Sequence, residues 1–280
     1  MKKLSFVFAM LMAAALSSVA QLKLPALSPT CKISQDFSTS SIDISYSRPS
    51  MRGRVVFGDV VAYGSVWRTG ANSATKVKFG EDVTIGGKAV KAGEYALYSI
   101  PGKEEWTVIL NKGTGNWGAF GYEATDDVAR FTVKPKVLNK DIQTFTINVT
   151  DMTYSTCNIE LVWEKTKISI PVVANNQERL NADIDKAINK PNIPYFSAAN
   201  YYFETNQNMD KAYEYVNKAL VDNPKAYYMW DLKARMARKM GKKEDALAAA
   251  KQTIETAKGT ASEAEYTHKG QAIIDSYAKN

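Results

Sequence analysis

Four arginines lie close together in one stretch of the sequence, residues 46–73 (the arginine-rich segment). Before residue 173 the chain has one other arginine, Arg130, and elsewhere in that region the basic residues are lysines. A guanidinium group is planar, permanently charged and able to bind carboxylates or phosphates through two parallel hydrogen bonds. The segment therefore predicts a site for an anion, and its arginines are Arg48, Arg52, Arg54 and Arg68.

Aromatic and amide side chains accompany these arginines. Aromatic planes hold sugars or apolar rings in ligand pockets. We predict ligand-binding roles for two of the arginines and surface or structural roles for Arg52 and Arg54. The alternative is that the arginines bond backbone carbonyls while the tryptophan fills the end of the fold. The predicted ligand-binding residues are Tyr46, Arg48, Tyr63, Trp67, Arg68 and Asn72.

Most catalytic mechanisms are disfavoured by the scarcity of histidine. The only histidine, His268, lies in a predicted C-terminal helix, which excludes histidine-based nucleophilic catalysis in the N-terminal region. Two cysteines far apart in the sequence give no support to a thiolate metal site. We predict no metal and no cofactor. Asp59, inside the arginine-rich segment, is a candidate for a general base or for an orienting partner of an arginine.

The two cysteines, Cys31 and Cys157, each lie on the apolar face of a predicted strand. An even cysteine count in an exported protein is compatible with one disulfide bond. Two buried free thiols fit the same pattern, because the sequence does not show whether the two side chains face each other. Both alternatives stay open.

A glycine-rich connection, residues 112–127, follows the first group of predicted strands. Connections of this length inside a compact domain are uncommon and often functional. Its aromatic residues include Trp117 and Tyr122, which we predict as possible loop contacts to a ligand.

Residues 31–173 alternate between apolar and polar side chains, with turn signals between short runs. About ten strands are predicted, among them a hairpin at Gly86-Gly87, where both turn residues need a positive φ. The pattern predicts an all-β antiparallel sandwich or jelly roll.

The periodicity becomes helical from residue 174 to residue 280. Predicted helices cover 177–189, 195–206, 210–221, 225–239, 243–257 and 262–278. Phe196 and Trp230 are 34 residues apart, as are Ala212 and Ala246. This spacing resembles the tetratricopeptide repeat, in which each unit is a pair of antiparallel helices. We therefore predict a two-domain chain whose C-terminal domain is an all-α, tetratricopeptide-like tail for protein contacts.

The N-terminus predicts export. Lys2 and Lys3 precede an apolar run and a small-residue end near Ala20, which is typical of a signal peptide at residues 1–20. Residues 21–30 are predicted to form a leader. We expect a periplasmic or secreted protein without a membrane span. A formal charge of +7 without a long basic stripe does not indicate nucleic-acid binding.

Three runs carry a resemblance to a known family: YSRPSMRGRVVFG with VAYGSVWRTGANSAT, then VTIGGKAVKAGEYALYSIPG, then EWTVILNKGTGNWG. Over about residues 32–173 the chain resembles a bacterial exported family described as domain of unknown function 2911. The resemblance implies a β-rich exported domain, often followed by a helical tail. It implies no activity and no catalytic residue.

The leading functional hypothesis is a non-enzymatic binding module for a small anionic or sugar-like ligand or for a peptide terminus. One alternative is a histidine-independent hydrolase or isomerase that uses carboxylate and arginine side chains. The other alternative is a structural subunit of an envelope assembly, in which the arginines serve the fold.

Overall fold

The structure is a computed structural model that describes residues 24–188 and 194–278. The predicted signal peptide and the first three residues of the predicted leader lie outside the described residues. The last leader residue, Thr30, already belongs to the first strand.

Two antiparallel sheets form the N-terminal domain. The larger sheet has the strand order β1-β2-β3-β6-β7-β8, and the smaller sheet has the order β5-β4-β10-β9. The strands of the larger sheet are β1 (Thr30–Phe37), β2 (Ser40–Ser47), β3 (Ala71–Phe79), β6 (Gly93–Ile100), β7 (Trp106–Asn111) and β8 (Asp127–Val133). Those of the smaller sheet are β4 (Val83–Ile85), β5 (Lys88–Val90), β9 (Lys136–Thr150) and β10 (Thr156–Ala174).

The inner faces of the two sheets share one hydrophobic core, which confirms the predicted antiparallel sandwich. Ile42 and Ile44 of β2 are buried in it, as are Ile168 and Ile170 of β10. Each pair is separated by one polar residue because successive strand side chains point to opposite faces. The period-two alternation of the sequence is thus the direct cause of the two-layer arrangement.

Strand β10 bends back beside itself at Glu164, whose φ is +51°. The Ala174 N–H donates to the Ser155 carbonyl at 2.8 Å, and the Ser169 hydroxyl donates to the Glu160 carboxylate at 3.0 Å. Residues this far apart in sequence meet only if the two halves lie side by side. The sequence predicted two strands here, and they correspond to these two halves.

The arginine-rich segment connects β2 to β3 and closes one end of the sandwich. Its apolar side chains, among them Val56, Phe57 and Trp67, are buried in the inter-sheet core. The Val56 and Phe57 N–H groups donate to the two carboxylate oxygens of Glu164, at 3.2 and 3.5 Å. The bend of β10 therefore holds the segment in place.

Six α-helices follow in the described part of the tail, close to the predicted ranges. Their buried alanines include Ala212 and Ala246, which are equivalent positions of the predicted repeat; the tetratricopeptide-like assignment stays a prediction. None of these helices has the length and hydropathy needed to cross a bilayer. They are α1 (Gln177–Ile188), α2 (Tyr195–Glu204), α3 (Met209–Asp222), α4 (Tyr227–Lys239), α5 (Lys243–Ala257) and α6 (Glu263–Ala278).

Polar contacts attach the tail to the sandwich. The buried Asn176 amide donates to the Ser38 hydroxyl at 2.8 Å and to the Glu81 carboxylate at 2.7 Å. Arg179 of α1 donates to the Thr39 hydroxyl at 2.6 Å and also contacts Glu81. These contacts place the start of the tail at the turns that follow β1 and β3.

Candidate functional site

A pocket of about 400 Å³ opens where the arginine-rich segment crosses the end of the sandwich (the arginine pocket). The segment contributes Arg54, Trp67 and Arg68 to its wall, and the bend of β10 contributes Trp163. Ser28 of the leader and Ala119 of the glycine-rich connection also line the pocket.

Arg54 and Arg68 are the charged side chains of this pocket among the described residues that line it. Arg54 is partly engaged, since it donates to the Met51 and Ser50 carbonyls at 3.0 and 3.1 Å. The Arg68 Nε is buried and has no hydrogen-bond partner in the described part of the chain. An unpaired buried donor costs about 1–3 kcal/mol, so an acceptor supplied by a ligand would be favourable here.

The Arg68 guanidinium packs against Gly118, which leaves room for it because glycine has no side chain. Gly118 has a φ of +71°, and a methyl group added to it would lie 2.7 Å from Arg68 Nη1. A side chain at this position would therefore displace the guanidinium and strain the backbone.

The two indole rings in the wall are stacked and have satisfied N–H groups. Trp67 and Trp163 have ring centroids 6.0 Å apart and planes inclined by 21°. Trp67 Nε1 donates to the Gly70 carbonyl at 3.0 Å, and Trp163 Nε1 donates to the Gln143 carbonyl at 3.2 Å. The rings are only 9% and 2% exposed, so they form the apolar base of the pocket, and the charge comes from the arginines.

A second pocket, of about 420 Å³, lies at the start of β3 (the hydroxyl pocket). Besides Asn72, Lys76 and Trp117, its lining includes five hydroxyl-bearing residues: Thr30, Ser45, Tyr46, Ser47 and Ser73. Lys76 is paired with Glu94 at 3.4 Å, which leaves the pocket mostly neutral and polar. Such a lining can exchange hydrogen bonds in both directions, because each hydroxyl donates and accepts.

An irregularity in the pairing of β2 and β3 creates the hydroxyl pocket. Ser45 pairs with Lys76, but Ser47, only two residues further on, pairs with Ala71. Three extra residues of β3 therefore bulge away from β2. Asn72 adopts a φ of +60° in the bulge, and its amide donates to the Ser47 hydroxyl at 3.1 Å. Asparagine tolerates this left-handed conformation better than most residues.

Comparison with protein-family models gives one match, to a family described as "Protein of unknown function (DUF2911)", over residues 28–172. The match covers more than half of the chain and includes the lining of both pockets. The chain belongs to the DUF2911 family. The resemblance seen in the sequence is thereby confirmed. No curated protein and no solved structure matches the chain.

Within the DUF2911 domain, four of the six predicted ligand-binding residues line one or the other of the two pockets. Trp67 and Arg68 line the arginine pocket. Tyr46 and Asn72 line the hydroxyl pocket, together with the predicted loop contact Trp117. The Tyr46 hydroxyl is committed to the fold, because it accepts the Ile147 N–H at 2.9 Å. Burial raises its pKa above the ordinary value.

Arg48 and Arg54 of the DUF2911 domain do not lie where their predicted roles would place them. Arg48 was expected to bind ligand, but it donates to the Phe145 carbonyl at 3.1 Å and to the Thr146 hydroxyl at 2.7 Å and lines neither pocket. Arg54 was expected to be structural and lines the arginine pocket. The two residues lie in a segment without periodicity, so no sequence pattern distinguishes them.

Other predicted residues lie outside the pockets. Tyr63 is a surface residue whose ring packs on Gly58, and Arg52 donates to the Leu27 carbonyl at 2.8 Å. Asp59 is exposed and lines neither pocket, and it makes no ion pair among the described residues that would orient an arginine. Tyr122 is held by Arg130, whose guanidinium donates to its hydroxyl at 2.6 Å.

The glycine-rich connection folds over the outer face of the larger sheet. The Asn116 amide donates to the Tyr98 hydroxyl at 3.1 Å and to the Gly121 carbonyl at 2.9 Å. The Tyr122 ring packs edge-on against Tyr98. Trp117, with 66% of its surface exposed, stands at the hydroxyl pocket.

Both cysteines are free thiols in the structure, so the open alternative of a disulfide bond is not the one observed. Cys31 lies on the edge strand β1 of the larger sheet, and Cys157 lies on β10 of the smaller sheet. Burial raises the pKa of the Cys157 thiol to about 11. Across residues 24–188 and 194–278, no cluster of histidine, cysteine and acidic side chains could hold a metal ion.

Proposed function

We propose that the protein is an exported binding module whose β-domain holds a small anionic ligand in the arginine pocket. The observation that carries the proposal is the buried Arg68 Nε, which lacks a partner beside the second guanidinium of Arg54. The carboxylate or phosphate group of the ligand would supply the missing acceptor, and charge-assisted hydrogen bonds of this kind are about twice as strong as neutral ones.

The surroundings of Arg68 favour binding over catalysis. No carboxylate side chain lines the pocket among the described residues, and the nearest predicted base, Asp59, is exposed outside it. General acid–base catalysis needs a titratable group within hydrogen-bond reach of the reacting atom. Two guanidinium groups above an apolar base can hold a small anion, but they offer no group that would move a proton.

The export part of the proposal rests on the sequence of residues 1–20, which has the charged, apolar and small-residue regions of a signal peptide in that order. A periplasmic or secreted location follows from it. Fractionation of cells that express the full chain, with detection of the mature N-terminus near Gln21, tests this part.

The tail is proposed to contact a protein partner. A groove of about 500 Å³ between α2, α4 and α6 is lined by Arg235, Arg238, Lys269 and the exposed ring of Tyr228. Its acid, Asp231, is buried and already bonded to Arg235 at 3.1 Å. Arg235 also pairs with Glu204, and Lys269 pairs with Glu265. Among the described lining residues, Arg238 is therefore the cation without an ion pair, and it would bind a carboxylate of an acidic peptide. Titration with a polyglutamate peptide, compared between Arg238→Gln and the control Lys251→Gln outside the groove, tests this assignment.

The experiment for the arginine pocket is calorimetric titration of residues 21–280 with acetate, succinate and inorganic phosphate. We expect at least one anion to bind, and we expect Arg68→Gln to weaken it by about tenfold or more, since 1.4 kcal/mol corresponds to a factor of ten. The matched control Arg52→Gln removes the same charge from a residue outside the pocket and should leave binding within about twofold. The proposal fails if no anion binds, or if folded Arg68→Gln binds as the parent does.

A further inference from the structure

We infer that the ligand is a saccharide carrying an acid group, with the acid in the arginine pocket and the sugar ring in the hydroxyl pocket. This inference rests on the proposed function and adds the class of molecule that fills the site. The chemistry of the two linings is complementary: one is charged and apolar, and the other is neutral, rich in hydroxyls and faced by an exposed indole.

Three separate chain segments pass from one pocket to the other. Ser28 lines the arginine pocket and Thr30 lines the hydroxyl pocket. In β3, Ala71 lines the arginine pocket and Ser73 lines the hydroxyl pocket. In the glycine-rich connection, Ala119 lines the arginine pocket and Trp117 lines the hydroxyl pocket. Residues two apart in a chain lie within about 7 Å of each other. The two pockets are therefore neighbours along all three segments.

Hydrogen bonds fix the three segments to one another at the partition between the pockets. The Gly118 N–H donates to the Asn72 carbonyl at 3.0 Å, and the Ala74 N–H donates to the Asn116 carbonyl at 3.1 Å. The Asn72 amide also donates to the Ser28 carbonyl at 3.3 Å. The spacing of the two pockets is thus set by the backbone, and a ligand that spans them meets a preformed site.

The hydroxyl pocket has the groups that a sugar ring needs. Trp117 is 66% exposed and offers a flat surface for the C–H face of a pyranose. The hydroxyls of Ser45 and Ser73 can donate to or accept from ring hydroxyls, and Lys76 adds a donor. A volume of about 420 Å³ falls in the range of small-molecule pockets.

The test compares acidic sugars with their parts. Residues 21–280 are titrated with methyl glucuronide and acetate for the carboxylate arm, with glucose 1-phosphate and inorganic phosphate for the phosphate arm, and with methyl glucoside as the neutral sugar. We expect one acidic sugar to bind about tenfold or more tightly than its simple anion. The arm that shows this gain identifies the acid group as carboxylate or phosphate.

Two variants test whether the hydroxyl pocket is the source of the tighter binding of the acidic sugar. Trp117→Ala should abolish the advantage of the acidic sugar and leave the affinity for the simple anion unchanged. Phe120→Ala is the matched control, because Phe120 is 89% exposed in the same connection and lines neither pocket. If neither acidic sugar exceeds its simple anion, or if Trp117→Ala keeps the advantage, the inference is overturned and the proposed function stands. If no anion binds, or if folded Arg68→Gln binds the anion as the parent does, the proposed function itself is overturned.

Discussion

Trp67 and Trp163 stack against each other although 96 positions separate them in the chain. Trp67 comes from the arginine-rich segment, and Trp163 comes from the bend of β10 in the smaller sheet. Both rings are buried, and both indole N–H groups are bonded to carbonyls. The wall of the arginine pocket is therefore part of the hydrophobic core, which links the shape of the pocket to the stability of the domain.

Truncation of this wall should destabilise the protein. Trp67→Ala removes a buried ring that contacts Phe57, Trp106 and Phe145 as well as Trp163. We expect a loss of about 3–5 kcal/mol in the free energy of unfolding, as for large aromatic residues in other cores. Urea denaturation measures it. Phe120→Ala, at an exposed position, should change stability by less than about 0.5 kcal/mol; equal losses in both variants would contradict this account.

Arg48 should matter for stability and not for ligand binding. Its guanidinium ties the arginine-rich segment to β9 through Phe145 and Thr146. Arg48→Met keeps the apolar stem and removes both hydrogen bonds, each worth about 1.5–3 kcal/mol when a charged group donates. We expect a lower midpoint in urea and an unchanged affinity for any anion that the parent binds. If the variant keeps full stability and loses anion binding, the prediction is wrong and Arg48 contacts the ligand.

Adjacent glycines in the β4–β5 turn should differ in their tolerance of alanine. Gly86 and Gly87 both have positive φ values, +54° and +79°. A methyl group on Gly86 would lie 2.1 Å from the Phe131 ring, whereas one on Gly87 would meet nothing within 4 Å. Gly87→Ala should cost about 1 kcal/mol from backbone strain alone. Gly86→Ala should lower the free energy of unfolding clearly more, as measured by thermal or urea denaturation. Equal losses in the two variants would show that the Phe131 ring moves aside freely.

The Cys157 thiol should be unreactive while the protein is folded. Burial raises its pKa from 9.0 to about 11, so at pH 8 its thiolate fraction is about a hundredfold smaller than that of an ordinary cysteine. The thiolate is disfavoured only in the folded state. The contribution of Cys157 to the free energy of unfolding is therefore fully present below pH 9, and it is lost as the pH rises towards 11. Iodoacetamide labelling with mass spectrometry, in the native state and in urea, measures the difference. Rapid native labelling of Cys157 would disprove its burial.

Glu81 should control the attachment of the tail. Its carboxylate accepts hydrogen bonds from Thr39, Asn176 and Arg179 at the junction. Glu81→Ala leaves the buried Asn176 amide with one acceptor fewer, at a cost of about 1–3 kcal/mol. We expect faster hydrogen exchange in residues 177–188, detected by mass spectrometry. Glu94→Ala, which removes only an exposed ion pair with Lys76, is the control and should leave that exchange unchanged.

Local patterns in the sequence were sufficient for most of the elements. The alternation around Ile42 and Ile44 and the glycine pair of the β4–β5 turn predicted strands and a hairpin that the structure contains. The helices of the tail follow from an apolar period and from breaks such as Pro224 and Gly241. These features depend on residues close together in the chain, where periodicity and turn chemistry act directly.

The site depends on contacts between distant residues, and the sequence could not reveal them. Glu164 fixes the arginine-rich segment from more than 100 positions away. The hydroxyl pocket arises because β3 bulges away from β2 after Ala71, a matter of pairing register. The positions of Arg48 and Arg54 were missed for the same reason: Arg48 lies against β9 and Arg54 at the arginine pocket because of contacts that only the folded chain makes.

The length of β2 separates the hydroxyl pocket from the attachment of the tail. Ser47, at the end of this strand, borders the hydroxyl pocket, whereas Ser40 is beside the turn to which Asn176 and Arg179 attach the tail. The seven steps of about 3.3 Å from Ser40 to Ser47 make this a distance of about 23 Å. A ligand at one end and a protein held by the helices at the other would not collide. If both proposals hold, the sandwich acts as a spacer, and one molecule can bind the proposed ligand and the proposed partner at once.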